Sequence, residues 1–238
     1  MNDLATPAPN GLSTSALPAG YESMGKMDQE MLILHRAKLL QATSDEVLQQ
    51  QFEGARPGLI INSITKIVLP DRFVPIFAWV SWMRFNARAA NQPGWVESAE
   101  PGVLLWRSND PNDPRVHSEE TKFGPNGEPP LAITSLNVLS LFREQPMPLA
   151  IAFAKSSLRP GRELYSMGRF TGQPLWHFTY TLRSKLKTME SGSAQVFTVK
   201  QIGVSSEEER HQCIMLHRQF AMRTTIKVHE EEQETVEV

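Results

Sequence analysis

The stretch PLAIAFAKSSLRPGRELYSMGRFTGQPLWHFTYTLRSKLK, residues 148–187, decides how the rest of the chain is interpreted. A short apolar run opens it at residues 149–154, and a helical-looking segment follows. Runs rich in aromatic and β-branched residues then occupy positions 175–183 and 195–200, a composition typical of strands. The pattern predicts strand, helix and two further strands in that order.

Cations and aromatic rings alternate within this stretch. Between Lys155 and Lys187 there are seven Lys and Arg residues against one acid, Glu163. The rings among them are Tyr165, Phe170, Trp176, Phe178 and Tyr180. Cations can follow a phosphate backbone while rings accept stacked bases, so the mixture suits single-stranded nucleic acid. Taken alone, the stretch favours an ordinary sheet with a basic face, because aromatic residues in strands more often build a core.

The composition is that of an ordinary globular protein, with 40% hydrophobic and 21% charged residues in 238. No apolar run approaches the roughly 20 residues that cross a bilayer, and no signal-peptide pattern opens the chain. We therefore expect a cytoplasmic protein with no membrane contact. The single cysteine, Cys213, excludes an internal disulfide and a cysteine zinc site. The six histidines form no metal motif, so we expect no metal and no cofactor.

The charge is distributed unevenly, although the net value is only −2. Five acids and no base lie in the last nine residues; these acids are Glu230, Glu231, Glu232, Glu234 and Glu237. Without those five of the 26 acids, 24 bases face 21 acids, so the body is mildly basic. The tail is predicted to bind a partner protein or to compete for a basic surface, and a solubilising end fits nearly as well.

Four segments are predicted. Residues 1–25 form a disordered arm rich in Pro, Ala and Ser, and residues 26–204 form the main domain. Residues 205–226 form a C-terminal helix that begins with serine and acids, and residues 227–238 are the acidic tail. Five to seven strands, long loops and flanking helices predict an α+β, mainly β fold. Its predicted form is an OB-fold-like Greek-key barrel with long loop insertions.

Two blocks resemble a known family. RAKLLQATS at residues 36–44 together with GARPGLIINSIT at residues 54–65 forms the first block, and FAKSSLRPGREL at residues 153–164 forms the second. These blocks are similar to those of bacteriophage single-stranded DNA-binding proteins, which have an OB-like core, loop insertions and an acidic C-terminal tail. The resemblance implies coating of single-stranded DNA during phage replication or recombination, in the host cytoplasm. It implies no catalysis, and it leaves homo-oligomers and tail-bound replication or recombination proteins open as partners.

The predicted nucleic-acid site is a groove with two walls. One wall consists of Arg72, Trp79, Trp82, Arg84 and Arg88. The other consists of Lys155, Arg159, Arg162, Arg169, Trp176, Arg183, Lys185 and Lys187. Each stacked base would contribute about 1–3 kcal/mol, and each phosphate contact would steepen the salt dependence.

Two other function classes were weighed against DNA binding. A virion or assembly protein that makes protein contacts fits the loop-rich middle and the low net charge equally well. An enzyme is not predicted, because no catalytic triad order, phosphate-binding glycine loop or paired-carboxylate motif is present.

Overall fold

The computed structural model describes residues 33–189, 192–220 and 227–228. Its strands are β1 (Ile33–Leu34), β2 (Arg36–Leu39), β3 (Ile60–Asn62), β4 (Arg72–Phe85), β5 (Leu104–Ser108), β6 (Ala132–Phe142), β7 (Leu149–Ala154), β8 (Phe178–Met189), β9 (Gly192–Val204) and β10 (Lys227–Val228). Its α-helices are α1 (Asp45–Leu48), α2 (Leu158–Thr171) and α3 (Glu207–Phe220). The predicted N-terminal arm and the five tail acids lie outside the described residues.

The 14-residue strand β4 is central to the main sheet. Along one edge it pairs with β6 from Phe73–Phe142 to Arg84–Ala132. Along the other edge β8 pairs with its first residues and β5 with its last. The sheet order is β3-β2-β7-β6-β4-β8-β9, and β5 lies off this path. The register shifts between Pro75 and Phe77, since proline has no N–H for the ladder.

The sheet curls until its two ends approach each other. The Gln195 N–H donates to the Gln41 amide oxygen at 2.8 Å, and the Gln41 amide nitrogen donates to the Gln195 carbonyl at 3.0 Å. The Ser184 hydroxyl donates to the Gly58 carbonyl at 2.6 Å. The result is a curled half-barrel, so the prediction of a mainly β, α+β fold is confirmed. The predicted helix near residues 158–170 is α2, and the predicted C-terminal helix contains α3.

Aromatic and aliphatic side chains fill the concave side of the sheet. Phe73 stacks on Phe142 with ring centroids 5.7 Å apart and lies 5.8 Å from the Tyr180 ring. Helix α2 covers this side because its buried residues, Gly161, Leu164 and Gly168, fall on one face. The close approach depends on glycine: a Cβ at Gly161 would lie 2.6 Å from the Phe153 side chain.

Gly161→Ala is therefore expected to lower the free energy of unfolding by about 1–3 kcal/mol, because the added methyl overpacks the α2–β7 contact. Urea denaturation measures the change. Gly203→Ala is the matched control, since a Cβ there meets no atom within 4 Å. Equal stability of the two variants would contradict the tight packing of α2.

A buried ion cluster anchors α1 to β2 and to the loop after β3. Glu46 is 1% exposed, and it accepts hydrogen bonds from Lys38 at 2.8 Å and from Lys66 at 2.6 Å. Burial alone raises the pKa of Glu46, but the hydrogen bonds from the two lysines outweigh it and lower the pKa from 4.5 to about 2. The carboxylate form is therefore the one that the fold stabilises.

Because the folded pKa is depressed, Glu46 contributes stability above about pH 4.5 and loses it as the pH falls towards 2. The contribution is on the order of 3 kcal/mol. Glu46→Gln should flatten the acid limb of the plot of unfolding free energy against pH, measured by urea denaturation from pH 2 to 7. It should also lower stability at pH 7, because buried Lys38 loses its counter-ion. Glu163→Gln, at an exposed position, is the control; an acid limb unchanged by Glu46→Gln would refute the assignment.

Candidate nucleic-acid interface

The structure does not bring the predicted first wall together. Arg72 and Arg84 stand near opposite ends of β4. At about 3.3 Å per residue, the strand between them is roughly 40 Å long. The wall is therefore spread along one continuous strand, and the odd spacing from Trp79 to Trp82 and Arg84 divides it between the two faces of that strand.

Arg72 is engaged by the C-terminal helix. Its guanidinium donates to both carboxylate oxygens of Glu209 on α3, at 2.8 and 3.0 Å. The same carboxylate accepts from the Ser206 N–H at 2.8 Å, as in a helix capping box. Arg72 therefore joins α3 to the start of β4.

Trp79 and Trp176 pack inward in a cluster of rings between the sheet and α3. Trp79 lies 5.4 Å from Phe77, and His217 of α3 contacts Phe77 at 6.1 Å and Trp176 at 4.9 Å between centroids. The Trp79 indole N–H is buried without a hydrogen-bond partner in the described part of the chain. Both tryptophans are predicted above as stacking platforms; in the structure each is only partly exposed, and each contacts another ring of this cluster.

Trp82 lies on the other face of β4 from Trp79, as their spacing of three residues predicts. It is half-buried and stands opposite Thr134 of β6 and Ser108 of β5. It shares no surface with the ring cluster under α3.

Arg84 is a structural residue rather than part of an accessible wall. It is 3% exposed and donates to the carbonyls of Phe85 and Gly94, with Glu120 at 3.4 Å. The adjacent Asn86 accepts from the Val96 N–H at 2.8 Å and donates to the carbonyls of Val96, Ala99 and Glu100. These two side chains hold the loop between β4 and β5.

Arg84→Ala is therefore expected to lower the free energy of unfolding by roughly 1–3 kcal/mol, because buried carbonyls lose their donor. Thermal or urea denaturation measures it. Arg162→Ala, at an exposed position, serves as the control and should leave stability within about 0.5 kcal/mol. An Arg84→Ala protein as stable as the control would mean that the loop does not depend on this guanidinium.

The outer face of α2 carries exposed cations and rings together. Arg159, Arg162 and Arg169 are all exposed, and Arg159 pairs with Glu163 at 2.9 Å. Within the described residues, the side chains of Arg162 and Arg169 make no ion pair. Tyr165 is 41% exposed and Phe170 is 90% exposed. The sequence-based site does not include these two rings. The glycines on the buried face of α2 are the sequence feature that indicates which face of the helix is exposed.

The β8–β9 hairpin adds two cations of the second wall. Lys185 and Lys187 are two residues apart and therefore lie on the same side of β8. Both are exposed, and neither has an acidic partner among the residues described. Arg183, by contrast, donates to Asp71 at 3.0 and 2.8 Å. The hairpin reaches the start of α2, where the Ser156 hydroxyl lies 3.5 Å from the Met189 sulfur and the Phe197 N–H donates to Ser157 at 3.1 Å.

Lys155 and Arg88 belong to different predicted walls, and the charge of Arg88 acts on Lys155. Lys155 follows β7 directly and has a φ of +48°, in the left-handed region. More than a third of it is exposed, yet desolvation of its ammonium group and the positive charge of Arg88 hold its pKa below the ordinary value.

The described ranges contain neither a metal site nor a membrane-spanning helix. No group of three His, Cys, Asp or Glu side chains there is placed to hold a metal ion. None of the helices described has the length and apolar character needed to span a membrane.

Comparison with known proteins places the chain in a phage family. The family model described as Pam3 phage gp34-like protein matches residues 7–222. The chain belongs to this family. The family match supports the phage part of the resemblance seen in the sequence, and its description names no ligand and no activity. No curated protein and no solved structure matches the chain significantly.

Proposed function

We propose that this phage protein binds single-stranded DNA without sequence preference, through a basic surface on α2. This α2 surface consists of Lys155, Arg159, Arg162, Tyr165, Arg169 and Phe170. The observation that carries the proposal is the exposure of Phe170 on the same helix as Arg162 and Arg169, neither of which is neutralised by a described residue. Trp79, Trp176 and Arg84 of the predicted groove are not part of it.

The chemistry of this surface matches a flexible polynucleotide. An exposed ring can stack on any base, for about 1–3 kcal/mol each, and unpaired guanidinium groups can contact successive phosphates. The acid of α2, Glu163, is already paired with Arg159. Sequence tolerance follows, because every base presents a flat face and every nucleotide a phosphate.

The biological role that fits is coating of single-stranded DNA during phage replication or recombination in the host cytoplasm. Under this proposal the chain performs no catalysis, the half-barrel serves as an OB-type platform, and the acidic tail contacts partner proteins. The modest charge of the body implies few phosphate contacts, so tight binding would need stacking or assembly of several copies along the strand.

Two variants separate the charge contribution from the stacking contribution. Arg162→Ala with Arg169→Ala should weaken binding to a dT oligonucleotide at least tenfold at low salt and lower the salt slope by about 1.4, since each single-strand phosphate contact contributes about 0.7. Phe170→Ala should lose about 1–3 kcal/mol of binding while keeping the salt slope. Fluorescence anisotropy with labelled oligonucleotide at several salt concentrations measures both.

The control pair is Arg143→Ala with Arg218→Ala, which removes two exposed arginines away from α2. This pair should bind DNA as the parent does. An equal loss of affinity in the control pair would show that only total charge matters and would overturn the assignment to the α2 surface.

Exposed apolar side chains also favour a second candidate, a phage virion or assembly protein. Phe123 is 72% exposed in the long segment between β5 and β6, where it could contact another protein. The same anisotropy titration separates the two functions. Negligible, salt-insensitive DNA binding would support assembly and reject the DNA-binding proposal.

A further inference from the structure

A cleft of about 450 Å³ opens beside the start of α2. Its sides come from β2, from the segment after β7 and from the tip of the hairpin, and its volume lies within the range of roughly 300–1,000 Å³ typical of small-molecule sites. Its cationic lining residues are Arg36, Lys38 and Lys155. None of the described residues that line it is an acid.

One cation of the cleft, the Lys155 ammonium group, has no counter-charge among the described residues. Lys38 is neutralised by buried Glu46 at 2.8 Å. Lys155 has no acidic partner in the described ranges, and it lies close enough to Arg88 for that charge to oppose its protonation. An anion bound at Lys155 would relieve this repulsion.

The backbone at Lys155 adds a second, independent observation. Its φ of +48° is uncommon and unfavourable for a residue with a Cβ, whereas glycine adopts it freely. A lysine at this turn, with its side chain lining a cleft, is strained where glycine would not be. Such strain concentrates at ligand sites, where the side chain has a use.

The remaining lining suits a flat apolar group. Met83, Phe85 and Ile133 stand at the ends of neighbouring strands, and Met189 faces them from the hairpin. Among the described residues, the Ser156 hydroxyl donates only to the Met189 sulfur, a weak acceptor at 3.5 Å, so it can donate to a ligand instead.

We propose that this cleft binds one nucleotide, with its phosphate at Lys155 and its base against Met83, Phe85 and Met189. The choice of a nucleotide rests on the proposed function, because the ligand is one unit of the same polymer. The cleft adjoins the α2 surface and shares Lys155 with it, but its other lining residues are different, and it can hold a free nucleotide or one unit of a bound strand.

Methionine-methyl NMR on the full-length protein tests the proposal at the cleft itself. Met83 and Met189 line the cleft, while Met215 is exposed on α3 and serves as an internal control. Titration with dTMP should shift the Met83 and Met189 signals with half-saturation below about 1 mM, and should leave Met215 unchanged. Thymidine, which lacks the phosphate, and inorganic phosphate, which lacks the base, should each bind at least tenfold more weakly.

Lys155→Gly is the informative variant, because it removes the ammonium group at a backbone conformation that glycine prefers. It should fold at least as stably as the parent and bind dTMP at least tenfold more weakly. Lys122→Ala, at an exposed lysine that is paired with Glu119 and does not line the cleft, is the control and should bind dTMP normally.

The outcomes separate this proposal from the broader one. Absent or Met215-centred dTMP shifts, with a dT oligonucleotide still bound, would overturn the cleft and leave the α2 surface intact. Specific dTMP shifts without oligonucleotide binding would support the cleft and reject strand coating. Equal affinity of thymidine and dTMP, or full dTMP affinity in Lys155→Gly, would overturn the role of Lys155. A dT oligonucleotide that shifts Met83 and Met189 as dTMP does would support occupation of the cleft by a unit of the strand.

Discussion

The contact between the glycine face of α2 and Phe153 of β7 fixes the geometry on which the other features depend. No side chain stands at Gly161 to hold the helix away, so α2 lies directly against the sheet. With this face buried, Leu164 lies in the core and Arg162, Tyr165 and Arg169 are exposed. Ser156 and Ser157, just before the helix, line the cleft. The helix contact therefore orients the proposed strand-binding surface and lies near the proposed nucleotide site.

The sequence predicted local elements well, because hydrophobic period and turn residues act over short distances. The strand at residues 149–154, the helix that follows and the long strands after it all appear close to their expected places. Residues 36–48 form β2 and only the short α1, since Ala37 and Leu39 pack against the sheet core. Burial in the tertiary structure, more than local propensity, determines the structure of this segment.

The candidate site was harder to predict, because the availability of a cation depends on partners distant in the sequence. Arg72 meets Glu209, Arg183 meets Asp71, and Arg84 is enclosed by its own loop. A count of basic residues cannot separate these from Arg162 and Arg169, which face solvent. Similarly, no local sequence feature shows that α3 folds back over Trp79 and Trp176. The exposed rings, Tyr165 and Phe170, are absent from the predicted site. The structure thus keeps the basic character of the region and changes which side chains carry it.

The Gln41 side-chain amide affects how neighbouring copies of this protein can contact one another along β9. By bonding both backbone groups of Gln195, it takes the place that a neighbouring strand would occupy on the free edge of β9. The Ser157 hydroxyl does the same for the Phe197 N–H. Free strand edges recruit other edges, and side chains that occupy them suppress such fusion. Copies packed side by side could therefore touch along this edge without merging their sheets, and each could leave as an intact unit.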